Sequence, residues 1–362
     1  MKKSILISAL ALAALATTSC SNEETKAIEP QSNAIEFGTY LGRDAISRGS
    51  VFTTTDMESA GFGVFAAYTG QEAFSSQPMN FMSNQEVTKS GDNCTYSPLK
   101  YWPNNPGDKV SFFAYAPYNV TGATPGTTAA TVDFIVQDAV ASQKDLVVAD
   151  ALKNNLKPSI SDKVTFDFKH VLARIGLNVE AMFDKVNSDA TGDSDNSTEN
   201  GIKAGETTIR VTNVQLIGAF DKDGVIDLTN STWDLGTPNN ATYYEWTPSN
   251  FDSSVADDVT TTKQQLNDAN SYAMIIPQDM TTSKVKIRVT YTVTTTDGKL
   301  EGGKTVITNT IESSEFAFNF EQGKAYMFNL HLGMTSVKFS ATVSNWEDAA
   351  NETVVNLPIN FN

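Results

Sequence analysis

The sequence predicts an all-β protein built as two β-sandwich domains in tandem. Three observations carry that prediction. Apolar residues alternate with polar ones at a spacing of two in segment after segment, the pattern of half-buried strands. Sustained 3.6-residue periodicity is almost absent. Turn residues separate the segments at short intervals, and a polar stretch near the middle divides the chain.

The bulk properties set limits on function. The 362 residues suffice for about two domains. A net charge of −16, with no basic cluster, argues against nucleic acid or anionic head groups as partners. Cys20 and Cys94 are the only cysteines. With Cys20 assigned below to a lipid, Cys94 has no partner, and stability must come from cores that the 40% hydrophobic composition can supply.

Residues 1–19 read as a signal segment outside the fold. Lys2 and Lys3 precede the apolar run 5–16, too short for a membrane span of about 20 residues. The run leads through Thr17, Thr18 and Ser19 to Cys20. This resembles a bacterial lipoprotein signal, in which the cysteine becomes the lipidated first residue, although Thr17 stands where leucine is usual. The acidic Glu23 and Glu24 resemble the surface-export signal of Bacteroidota lipoproteins. Residues 20–33, with Pro30, are expected to form a flexible tether.

The first domain is expected over 34–186. Its first strand places Ile35, Phe37, Thr39 and Leu41 on one face, with Arg43 and Arg48 in the loop that follows. Strands are expected at 61–68 (GFGVFAAY), more weakly at 81–87, and at 109–118, where Val110, Phe112 and Ala114 oppose Phe113 and Tyr115. A proline-rich turn at 95–105 carries Tyr101 and Trp102. Strands follow at 132–136 and 145–150, then a long pattern at 164–181 that breaks near Ala173 and Arg174.

The polar stretch 187–206 marks the boundary, and 187–362 is expected to form the second domain. Residues 207–220 form a strand, and Asp221–Gly224 reads as a tight turn into 225–228, a hairpin. Trp233 and Tyr243–Trp246 add aromatic bulk, and 272–277 is an apolar strand. Val285, Ile287, Val289, Tyr291 and Val293 alternate before an Asp297-Gly298 turn. A short strand at 316–320 and strands at 323–332 and 337–346 complete the core. At 354–362, Val355, Leu357, Ile359 and Phe361 again share one face.

No catalytic or cofactor signature is present, and the chain reads as a non-enzyme. His170 and His331 lie in strand patterns without metal-ligand spacing, which favours structural roles. Asp189, Asp193, Asp195 and Glu199 supply oxygen ligands of the kind calcium takes, but their spacing departs from the EF-hand loop, and a solvated loop is the better reading. No nucleophile elbow, phosphate loop or dinucleotide fingerprint occurs. Tyr101, Trp102, Tyr243, Tyr244 and Trp246 could stack on sugar rings; aromatics in β-sandwiches are more often core.

Several segments together resemble the fimbrillin family of Bacteroidales: the Cys20 lipobox, GFGVFAAY at 61–68, YSPLKYWPNN at 96–105, VSFFAYAPY at 110–118, FKHVLARI at 168–175 and the closing strand with Trp346. The resemblance covers essentially all of the chain beyond the signal. It implies transthyretin-like sandwiches and a subunit of cell-surface fimbriae, exported to the outer membrane on a lipid anchor. It also implies a trypsin-like maturation protease cutting after Arg48, with Arg43 as second choice. The strand bearing Ile35, Phe37 and Leu41 would then leave, and a neighbouring subunit's strand bearing Val355, Leu357, Ile359 and Phe361 would fill its groove. The alternative is a surface lipoprotein that does not polymerise and binds glycans or host ligands. Neither reading needs a cofactor.

Overall fold

In the computed structural model the described residues are 33–41, 52–76, 78–158, 162–182, 206–236, 242–268, 271–296, 301–346 and 348–355. Among the described residues strands dominate, with little helix. In order it forms β1 (Phe37–Leu41), β2 (Phe62–Gly70), β3 (Met82–Ser90), β4 (Asn93–Thr95), β5 (Lys109–Ala116), β6 (Ala123–Pro125), β7 (Thr131–Ile135) and β8 (Val147–Ala149). Then come β9 (Leu152–Leu156), β10 (Val164–His170), β11 (Ala173–Ala181), β12 (Glu206–Gly218), β13 (Asp223–Asp227), β14 (Thr232–Leu235), β15 (Thr242–Trp246) and β16 (Gln264–Gln265). The last are β17 (Ala273–Ile275), β18 (Gln278–Asp279), β19 (Val285–Thr296), β20 (Lys304–Glu312), β21 (Asn319–Phe320), β22 (Lys324–Leu332), β23 (Val337–Asn345) and β24 (Asp348–Val355).

The first sheet runs β1-β10-β8-β5-β2-β3-β4, with β9 also paired to β5. It curls, because Phe37 on the edge strand β1 meets Phe112 on β5, three places away in the strand order. Both faces of its central strands are buried. Phe62, Val64, Val110, Phe112 and Ala114 pack with Ile35, Phe37 and Leu41, whereas Phe65, Phe113 and Tyr115 join the second, larger core. That division follows the alternation of side chains along a strand, and it explains why β2 and β5 are nearly continuous apolar runs.

A second sheet runs β16-β11-β22-β23-β24, with β17 also on β11; a third runs β15-β12-β19-β20, and a fourth β14-β13-β7-β6. On β19, Val285, Ile287, Val289, Tyr291 and Val293 are buried in strict alternation, as the sequence predicts.

Three elements depart from the sequence-based expectation. The long pattern at 164–181 breaks after His170, and its two halves belong to different sheets: β10 pairs with β8, and β11 with β22 in parallel. Sheet membership therefore changes at Val171–Leu172, while nearly all of the polar stretch 187–206, where the domain boundary was expected, lies outside the described residues. Val171 N–H donates to Leu146 O at 3.3 Å, and Gly323 N–H to Leu172 O at 3.0 Å, which holds this crossing.

The expected hairpin at Asp221–Gly224 is instead a crossover. Gln278 Oε1 accepts from Asp221 N–H at 2.9 Å, Lys222 Nζ donates to Tyr243 O at 2.7 Å, and Val136 N–H donates to Lys222 O at 2.7 Å. These bonds direct β13 away from β12, onto β7.

A seven-residue helix, α1 (Thr54–Ala60), was not foreseen. Its start is a capping box: Thr53 Oγ1 accepts from Asp56 N–H, and Asp56 Oδ2 accepts from Thr53 N–H at 2.8 Å.

Candidate functional site: the groove holding the first strand

Alternation makes one face of β1 apolar, and that face lies in a groove. Ile35 and Phe37 are almost fully buried and Leu41 nearly so. β1 pairs in parallel with β10, from Phe37 opposite Val164 to Leu41 opposite Phe168. The opposite side of the groove is the proline-rich turn. There Ile35 N–H donates to Lys100 O at 2.8 Å, and Trp102 N–H donates to Asn33 O at 2.9 Å. The Tyr96 hydroxyl donates to Ile35 O at 2.8 Å. Burial pushes the Tyr96 phenol up, partly offset by its hydrogen bond with the Lys100 backbone, so it remains a donor at neutral pH.

The groove floor is aromatic. Phe37 stacks on Phe166 and meets Phe62 and Phe112 edge-on, with Tyr96 tilted at 5.2 Å. At about 1.5–3 kcal/mol for each large apolar side chain, three such residues contribute several kcal/mol to the seating of β1. One position on the face is polar. Thr39 has its Oγ1 buried with no hydrogen-bond partner among the described residues.

Arg43 and Arg48 lie outside the described residues, between two fixed points. Leu41 ends β1 in the groove. Phe52 is buried, and its N–H donates to Asp145 Oδ2 at 3.0 Å. The same oxygen meets His170 Nδ1 at 2.7 Å, and the His170 ring lies flat on Trp346. Sequence reasoning missed the contribution of Asp145, because its partners Phe52 and His170 are distant in the chain.

At the other end, β24 lies antiparallel on β23, with Val354 opposite Thr342 and Val355 opposite Ala341. The strand expected from 354 thus begins at Asp348, and Val355 is its last residue. Leu357, Ile359 and Phe361 lie outside the described residues, as do Cys20 and the acidic group Asp189, Asp193, Asp195 and Glu199.

The other candidates take structural places. His331 Nδ1 lies 2.5 Å from Glu180 Oε1, joining β22 to β11. Trp102, Tyr244 and Trp246 are buried, which removes them as sugar platforms, while Tyr101 and Tyr243 are exposed. Cys94 is a free thiol pushed up by partial burial.

A curled sheet with a seated edge strand, accompanied by further β-sheets that share its second core, defines an all-β protein of the β-sandwich kind. The chain belongs to the fimbrillin-like family, whose model matches residues 50–346. It is 25% identical, over 392 aligned positions, to the fimbrium subunit Fim1C of Phocaeicola vulgatus, covering 95% of this chain and 97% of that one. The fold is shared with a fimbrial protein from Bacteroides vulgatus, at a TM-score of 0.65 and 22% identity over 86% of this chain and 99% of that one. It is also shared with a candidate cell adhesion protein from Bacteroides ovatus, at a TM-score of 0.51 and 15% identity over 86% and 97% of the two chains. The family match leaves out β1 at one end and β24 at the other, the two strands at issue.

Proposed function

We propose that this protein is a non-enzymatic structural subunit of a cell-surface fimbrium, carried to the outer membrane by a lipid on Cys20 and assembled by strand exchange. A trypsin-like protease cuts after Arg48, or else after Arg43, and releases the segment holding β1. The C-terminal segment of another subunit, with Val355, Leu357, Ile359 and Phe361, then enters the vacated groove.

The single observation that carries this reading is the seat of β1. It is an edge strand whose buried face fills an aromatic groove, and its chain continues directly into an arginine-bearing segment. Removing such a strand exposes apolar surface and unpaired backbone groups, which template another strand. The groove keeps its shape after the cut, because Phe52 on the far side of the loop is anchored separately on Asp145.

The experiment is to determine the N-terminal residue of the protein on the cell surface. Gly49 or Asp44 is expected. A chain that still begins at Cys20 in assembled fimbriae contradicts the reading.

A further inference from the structure

We propose that Thr39 is a built-in defect of the first strand, which sets the direction of strand exchange by making β1 a poorer occupant of the groove than the strand that replaces it. The inference rests on the strand-exchange reading and deepens it.

The face that β1 buries comprises Ile35, Phe37, Thr39 and Leu41. Three of the four are apolar and buried. Thr39 stands between them, opposite Phe166, a ring that packs on three other phenylalanines. Its hydroxyl is shut off from water and meets no acceptor or donor among the described residues. A buried hydroxyl has lost its hydrogen bonds to water, and here nothing replaces them. The backbone groups around it are engaged in pairing with β10.

The C-terminal segment carries no such flaw. Val355, Leu357, Ile359 and Phe361 share one face at the same spacing of two. If it runs in the direction of β1 with Val355 at the place of Ile35, then Ile359 falls at the place of Thr39. If it slides by one pair of residues either way, Leu357 or Phe361 falls there instead. Each of these registers removes the orphaned hydroxyl; the first fills all four places with apolar side chains, whereas a slide either brings Thr353 to the place of Ile35 or leaves the place of Leu41 unfilled. Pro358 stays on the opposite face by parity.

The bias also explains how β1 serves before the cut. While it is part of the same chain, its effective concentration at the groove is very high, and a weakened strand stays seated. Once the loop is cut, that advantage ends and the defect counts in full.

Thr39→Val is nearly isosteric and removes only the hydroxyl function, so folding is expected to be preserved. Two readouts separate the claims. The first is the thermal midpoint of the uncut chain, which Thr39→Val should raise and Thr39→Ser, which keeps the hydroxyl, should not. The second uses precursor cut once within 42–51, mixed with excess synthetic peptide 354–362, and follows loss of the N-terminal fragment by mass spectrometry. Release from Thr39→Val should be about 5- to 150-fold slower than from wild type, the range expected for one unsatisfied buried hydroxyl. An unchanged or lowered midpoint for Thr39→Val overturns the defect itself. A raised midpoint with wild-type release kinetics overturns its role in exchange. A wild-type fragment that the peptide never displaces overturns the strand-exchange reading, and the proposal with it.

Discussion

Phe37 and Phe166 stack at 5.6 Å with their planes 26° apart, on strands that run parallel in adjacent places at the edge of the first sheet. This pair joins the first strand to the floor of its groove. Phe37→Ala should cost about 3–5 kcal/mol, since it removes a buried ring and leaves a cavity among Phe62, Phe112 and Tyr96. Urea unfolding of the uncut chain measures the loss, and limited proteolysis should show residues 33–41 attacked sooner.

Gly63 sits where the chain passes under Tyr115. A Cβ at this position would come within 2.4 Å of Tyr115 Cε1 and 2.7 Å of Asn84 Oδ1, two side chains that hydrogen-bond to each other at 3.0 Å. Gly63→Ala must displace both, and overpacking of this kind costs about 1–3 kcal/mol. The variant should unfold at lower denaturant concentration with an unchanged slope.

Glu312 joins β20 to β19 through Lys286 and Arg288. The hydrogen bond from Lys286, then that from Arg288, holds its carboxyl below the ordinary value. A carboxyl depressed in the folded state stabilises at pH values above its unfolded pKa, and that contribution disappears as pH falls through the folded pKa. Glu312→Gln should therefore lower the thermal midpoint slightly at pH 7, and less in high salt because the group is partly exposed. The difference from wild type should vanish in acid, below the carboxylate range. A difference that persists there contradicts the ion-pair account.

Cys20→Ala should release the protein from the membrane fraction, since the lipid is the proposed anchor. Fractionation of cells making either form checks this, and a variant still membrane-bound and processed at the same site contradicts lipidation.

Much of this fold is legible residue by residue. The opposed faces of β5, with Phe112 towards one core and Phe113 towards the other, follow from alternation alone. So does the buried set on β19, whereas the break expected near Ala173 and Arg174 falls at Val171–Leu172, between β10 and β11. Partner choice is not legible. Arg174 to Ala181 pair with Ala325 to Leu332, about 150 residues away, and an apolar period of two is the same whichever sheet receives it. The turn chemistry of Asp221–Gly224 suggests a hairpin, but the hydrogen bonds of Asp221 and Lys222 to distant residues override it. Helix α1 is seven residues long and, among its residues of described burial, buries Met57, too little to leave a helical period. The start of β24 is hidden because its residues 348–353 have no apolar alternation. The groove strand itself was readable from Ile35, Phe37 and Leu41. The turn that closes it, through Tyr96, Lys100 and Trp102, was not, since those contacts, to Ile35 and Asn33, cross 61 residues of sequence or more.

Strand exchange requires that β1 be a replaceable occupant of its groove. The most direct measurement is the solution mass, by size-exclusion chromatography with light scattering, of wild-type precursor cut once between Leu41 and Phe52. Multimers of increasing mass are expected, with the N-terminal fragment lost. A monomer that keeps the fragment bound after the cut would contradict strand exchange.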